Sequence, residues 1–137
     1  DAYSANPASV AAAFETFREM PVEGSRWVLL GDMLELGPRA GEAHEAAAAQ
    51  LTPDWCAGFV PYGAHADAMA ESAATGTAAT RVAAILRCAT EADVVDALAT
   101  QLRPGDALLV KGSRGVHLET VVDAYRAFTL ASDNAIG

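Results

Sequence analysis

Arg26-Trp27-Val28-Leu29-Leu30, running directly into Gly31-Asp32-Met33-Leu34-Glu35-Leu36-Gly37, decides the fold class. After Arg26 the run is apolar without alternation. A strand with one solvated face alternates apolar and polar residues, whereas a parallel strand covered by helices on both faces reads as an unbroken apolar run. Arg26–Leu30 is therefore a buried parallel strand, and the polar, glycine-bounded stretch after it is the loop at its carboxyl end.

Upstream of this strand, Asn6-Pro7 opens a helix over residues 8–20: Asn is a good N-cap and Pro suits the first helical position. Val10, Ala13, Phe14 and Phe17 share one face of it at helical spacing. Pro21 and Gly24 end it. Downstream, the pattern predicts helices over 42–51, 64–74, 91–102 and 116–128, with strands at 55–60, 81–86 and 106–110. Val94, Val95, Leu98 and Leu102 form the apolar stripe of the 91–102 helix. Short apolar runs alternating with helices of about ten residues are the signature of βα units, so the expected fold is α/β, a mostly parallel sheet with helices on both faces. The chain opens on a loop and a helix with no strand before them, which suggests one domain of a larger protein.

The composition narrows the function classes. The 137 residues match the size of a single domain. The chain is 52% hydrophobic and 20% charged, a globular balance, and alanine, the best helix former, is its most frequent residue. Eighteen acidic residues against nine basic ones give a net charge of −9. That balance argues against nucleic acid and anionic membranes as partners, because both require basic patches. No apolar run reaches the roughly 18 residues of a membrane span, and the first residues lack the pattern of a signal peptide. Cys56 and Cys88 follow no metal spacing and read as buried thiols of a cytosolic protein. The three histidines, His44, His65 and His117, show no metal-site spacing either.

In open α/β sheets, ligands bind outside the carboxyl ends of the strands. The loops DAYSANP, GDMLELG, PYGAH and KGSRG should therefore converge on one rim. KGSRG, residues 111–115, is the most informative of them. It places the only lysine, Lys111, with Ser113, Arg114 and two glycines between a strand end and a helix start. Helix N-termini favour anions, and Lys and Arg supply a point charge and a bidentate fork. The alternative is pairing with surface carboxylates such as Glu119. Asp32 has two readings, an acceptor for ribose hydroxyls or the cap of a turn or helix. Glu35 reads as a solvated loop charge. His44 reads either as a general base or ligand contact, or as a satisfied structural histidine. Tyr3, Ser4 and Asn6 make a polar-aromatic cluster in which Tyr3 could stack on a base and Asn6 doubles as the N-cap. Physics alone ends at an α/β domain with an anion-binding edge.

Three segments in register carry a family resemblance. DAYSANPAS resembles a YNANPxS motif, WVLLGDMLELG followed by His44 resembles an LGDMLELG…H motif, and LLVKGSRG resembles a KGSRG motif. Together, over residues 1 to about 128, they resemble the carboxy-terminal, Rossmann-like domain of Mur ligases of the D-alanyl-D-alanine-adding (MurF) type. The resemblance implies a three-domain cytoplasmic, monomeric peptidoglycan-precursor ligase. Its UDP-binding and central ATPase domains lie outside residues 1–137. ATP with Mg²⁺, held mostly by the central domain, activates the carboxylate of UDP-N-acetylmuramoyl-tripeptide as an acyl phosphate, and the amine of D-Ala-D-Ala attacks it. Carried over, Tyr3, Asn6 and Asp32 face the nucleotide, and Lys111, Ser113 and Arg114 hold the dipeptide carboxylate. Ser4 stands where the motif has Asn, and His44 matches a motif histidine of unassigned role. The same resemblance implies that the domain alone is inactive. Other readings are another Mur or folylpolyglutamate-type amide ligase, or a non-catalytic α/β binding module. A receiver-like module lacks its acidic pair here, and a methyltransferase lacks its glycine-rich first loop.

Overall fold

A computed structural model describes residues 5–77 and 80–112. Helix α1 (Pro7–Glu19) leads into strand β1 (Arg26–Leu30), a short 3-10 turn (Gly37–Arg39), helix α2 (Ala40–Ala49), strand β2 (Gly58–Pro61), helix α3 (Ala66–Ala74), strand β3 (Ala84–Ile85), helix α4 (Glu91–Gln101) and strand β4 (Ala107–Lys111). The strands form one sheet in the order β3-β2-β1-β4, and every pairing is parallel. The chain thus steps from β1 to β2 to β3 in one direction, then returns across the sheet to place β4 on the other side of β1.

The core explains the unbroken apolar run. Val28 and Leu30 pack on one face with Val10, Phe14 and Phe17 of α1, Ala47 and Ala48 of α2, and Met69 and Ala73 of α3. Trp27 and Leu29 pack on the other face with Val94 and Leu98 of α4. Every residue of β1 after Arg26 is therefore buried. Crossovers of a single hand put the returning helix on the opposite face, which is where α4 lies. Helices on both faces of a parallel sheet are the expected architecture.

Local chemistry sets the helix ends. Asn6 caps α1: its Oδ1 accepts from the Ser9 amide at 2.9 Å, while Ser9 Oγ accepts from the Asn6 amide at 2.9 Å, a reciprocal capping box. Thr90 and Asp93 do the same for α4. Arg26 closes the other end of α1, donating from Nε to the Phe17 carbonyl at 3.0 Å and from Nη2 to the Met20 carbonyl at 2.5 Å.

Several boundaries differ from the sequence pattern. Residues 55–57 do not belong to β2: the amides of Trp55 and Cys56 both donate to the Thr52 carbonyl, and the Trp55 indole donates to the Gln50 carbonyl, folding the apolar residues into a turn. Strand β3 is two residues rather than six, since only Ala84 and Ile85 find ladder partners on β2. Helix α2 starts at Ala40, so His44 sits mid-helix rather than in the first turn. Lys111 is the last residue of β4, paired in register with Leu30, rather than a loop residue. The predicted 116–128 helix lies outside the described residues.

Gly58 faces Trp27 across the ladder, and a Cβ there would lie 2.2 Å from the indole. Gly58→Ala should therefore destabilise the domain by about 1–3 kcal/mol, the usual cost of overpacking, read as a lower urea midpoint at unchanged slope.

Candidate functional site at the strand switch

The reversal of strand order falls between β1 and β4, the point where open α/β sheets bind ligands. The fold brings the two most informative loops together there, although about eighty residues separate them in the chain. Leu30 pairs with Lys111, and the Gly31 amide donates to the Lys111 carbonyl at 2.8 Å. Asp32 follows one strand end and Lys111 closes the other. Lys111 is 4% exposed, and burial pushes its ammonium below the ordinary lysine range.

Asp32 is 8% exposed. Its Oδ2 accepts from the Ala64 amide at 2.8 Å and its Oδ1 from the His65 amide at 3.0 Å. These are N–H groups at the start of α3, where a helix carries partial positive charge, so the carboxylate is held by charge-assisted bonds. The capping reading of Asp32 is thus realised. A carboxylate has about four acceptor positions, so two bonds leave it able to accept more.

The approach depends on Gly63. Its φ is 111°, and a Cβ would lie 2.6 Å from the Asp32 carboxyl. Only glycine both adopts that conformation and lets the carboxylate come so close. The sequence pattern gave PYGAH its place on the rim but not this role. The signal was a glycine between a buried strand and a helix start.

A cleft of about 620 Å³ opens beside Asp32 along the carboxyl ends of β1, β2 and β3. Tyr62, Gly63, Asp67, Arg87 and Cys88 also line it. Its size suits a small-molecule site. Arg87 bridges Asp67 at 3.1 Å across the open side, with both side chains largely exposed. Cys88 is only half-buried, unlike Cys56, whose thiol burial pushes up to about 12.

His44 is fully buried. Its Nδ1 lies 2.6 Å from the Ala40 carbonyl, and its Nε2 lies 2.8 Å from the Met33 amide nitrogen. A carbonyl can only accept, so Nδ1 carries the proton; an amide N–H can only donate, so Nε2 presents its lone pair. The ring is the neutral Nδ1–H tautomer and holds the loop after β1. Both ring nitrogens are committed to backbone, the arrangement of the structural reading. The ring stacks on His65 with centroids 4.1 Å apart.

Burial, and next the nearby His65, hold His44 below its ordinary value of 6.5 against the opposing pull of the Ala40 carbonyl and Asp32. The unfolded chain therefore binds a proton that the folded chain refuses. This contribution to stability is fully present above about pH 6.5 and is lost as the pH falls from there through the lowered folded value. The urea midpoint of the parent should drop on acidification below about pH 6.5 more than that of a His44→Gln variant, which does not titrate.

Asn6 is exposed at the start of α1 and committed through Oδ1 to its cap. Glu35 is exposed, as expected. Tyr3, Ser4, Ser113, Arg114, His117 and Glu119 lie outside the described residues. Among the described residues no group of three or more His, Cys, Asp or Glu side chains is arranged to hold a metal ion, and no helix is long and apolar enough to cross a membrane.

A doubly wound parallel sheet with a carboxylate and a lysine at its switch point defines a Rossmann-like domain. Residues 1–114 match the family model described as "Mur ligase, glutamate ligase domain", and the chain belongs to that family. Relatives include a UDP-N-acetylmuramoyl-tripeptide–D-alanyl-D-alanine ligase of Bacillus subtilis, 33% identical over 89% of this chain and 26% of its own length. One of Treponema pallidum is 34% identical over 87% and 25%. The chain thus spans about a quarter of these relatives. Among solved structures, a MurF from Acinetobacter baumannii has 26% identity and TM-score 0.70, covering 91% of this chain and 26% of that one. A MurF ligase from Thermotoga maritima in complex with ADP shares the fold at 24% identity and TM-score 0.71, covering 91% and 26%.

Proposed function

We propose that this chain is the carboxy-terminal domain of an ATP-dependent ligase that joins D-Ala-D-Ala to UDP-N-acetylmuramoyl-tripeptide in peptidoglycan synthesis. The observation that carries the reading is the meeting of the Asp32 and Lys111 loops at the strand switch, which gives one rim a carboxylate for hydroxyls and a cation for an anion. The relatives' names support these substrates, and the chain covers about a quarter of each relative's length.

The domain closes over a nucleotide held by a central ATPase domain, which also holds Mg²⁺. Asp32, fixed by α3, accepts from the ribose hydroxyls. Tyr3 stacks on the base side, and Asn6 contributes its amide nitrogen, since its oxygen is used by the cap. Ser4 gives a shorter hydroxyl contact where the motif has Asn. Lys111, Ser113 and Arg114 hold the carboxylate of the incoming dipeptide. That grip orients its amine toward the acyl phosphate of the tripeptide, so the domain contributes positioning rather than proton transfer. The enzyme works as a cytoplasmic monomer.

The test compares the isolated domain with the full-length protein. Phosphate release that needs both the tripeptide precursor and D-Ala-D-Ala should occur only with the full-length enzyme. Dipeptide-dependent release by the isolated domain, or none by the full-length protein, would overturn the assignment.

A further inference from the structure

The His44 imidazole does not line the cleft, yet its contacts across the fold reach the two segments that hold Asp32. Its Nε2 accepts from Met33, the residue after Asp32, and its ring lies flat against His65, whose amide is bound to Asp32 Oδ1. We propose that His44 is a positioning residue for the Asp32 carboxylate, fixing from beneath the oxygens that meet the nucleotide ribose. The proposal rests on the reading of Asp32 given above.

Three anchors fix the segment from Gly31 to Met33. The Gly31 amide is tied to β4, the Asp32 carboxylate to the start of α3, and the Met33 amide to His44 on α2. Met33 is buried, so its N–H has no easy substitute partner, and loss of the acceptor forces the loop to turn in search of one. His44 itself cannot swing, because the Ala40 carbonyl holds its other nitrogen. Displacing its ring also frees the His65 ring stacked on it, and with that ring the amide that binds Asp32.

The arrangement works only with a neutral imidazole. The titratable groups that act on it are His65, from the start of α3, and Asp32, from the loop after β1. A proton on Nε2 would oppose the Met33 N–H, and the carboxylate Oδ1 stands 4.0 Å away to receive it. Protonation therefore draws Asp32 toward His44 and off the α3 amides. The nucleotide grip weakens on the acid side through His44.

The experiment uses His44→Gln and His44→Phe in the full-length enzyme. Gln keeps an acceptor and does not titrate; Phe keeps the ring and loses the acceptor. His44→Phe should raise KM for ATP by about tenfold while leaving KM for D-Ala-D-Ala within about twofold, and should speed deuterium exchange at the Ala64 and His65 amides. His44→Gln should stay within about threefold of the parent in KM for ATP and lose the parent's rise in that KM at acidic pH. Equal effects of the two variants, or an unchanged KM for ATP in His44→Phe, would overturn the proposal. If Asp32→Ala leaves KM for ATP unchanged, the ribose reading fails instead. Exchange at residues 64 and 65 then decides: faster exchange in His44→Phe supports positioning, and unchanged exchange overturns it.

Discussion

Replacing Asp32 with Ala should produce the largest combined loss in the domain, with stability lower by about 2–4 kcal/mol and KM for ATP higher by at least about tenfold. Two charge-assisted bonds disappear together, each of a kind that contributes about 1.5–3 kcal/mol, and the Ala64 and His65 amides lose their acceptors. Water entering from the adjoining cleft offsets part of that loss, which is why the expectation stays below the sum. Asp32→Asn should fall between parent and Ala in stability, since the amide oxygen replaces one acceptor while its NH₂ opposes the other amide. Urea unfolding and steady-state kinetics of the full-length enzyme read the two losses separately. Gly63→Ala should resemble Asp32→Ala in both, because its methyl occupies the place of the carboxyl group.

The second large effect concerns Lys111. Lys111→Met should lower kcat/KM for D-Ala-D-Ala by about 10- to 200-fold, corresponding to the roughly 1.5–3 kcal/mol of a hydrogen bond to a charged group. KM for ATP should remain within about twofold, since the nucleotide contacts lie on the other loop. Methionine fills the space of the buried stem, at a position 4% exposed. A variant that loses ATP affinity and dipeptide affinity together would place Lys111 in the scaffold rather than at the dipeptide.

How much of this was legible beforehand differs from residue to residue. Strand β1 was read to its last residue because coverage on both faces leaves an unmistakable apolar run. Helix α1 was legible because Asn6 and Pro7 encode its start chemically, while the Ser9 half of the capping box came only with the structure. Trp55 and Cys56 misled because apolarity alone does not distinguish a strand from a buried turn. The brevity of β3 reflects its edge position, where only β2 offers ladder partners. The convergence of the Asp32 and Lys111 loops followed from fold class, since parallel strands put all their carboxyl ends on one rim. The capping role of Asp32 did not follow, because it depends on where the start of α3 comes to rest. His44 was visible as a motif residue, but its tautomer and task are set by backbone groups four and eleven residues away in the chain.

The central claim is that this domain delivers D-Ala-D-Ala to a nucleotide-activated acid, and its most direct test is amine selectivity. Phosphate release by the full-length enzyme, supplied with ATP and UDP-N-acetylmuramoyl-tripeptide, should be measured with D-Ala-D-Ala and, in parallel, with lysine, diaminopimelate and glutamate. Release should depend on D-Ala-D-Ala and respond at most weakly to the others, with Lys111→Met abolishing most of that preference. Preferential use of any of the other three amines would contradict the account.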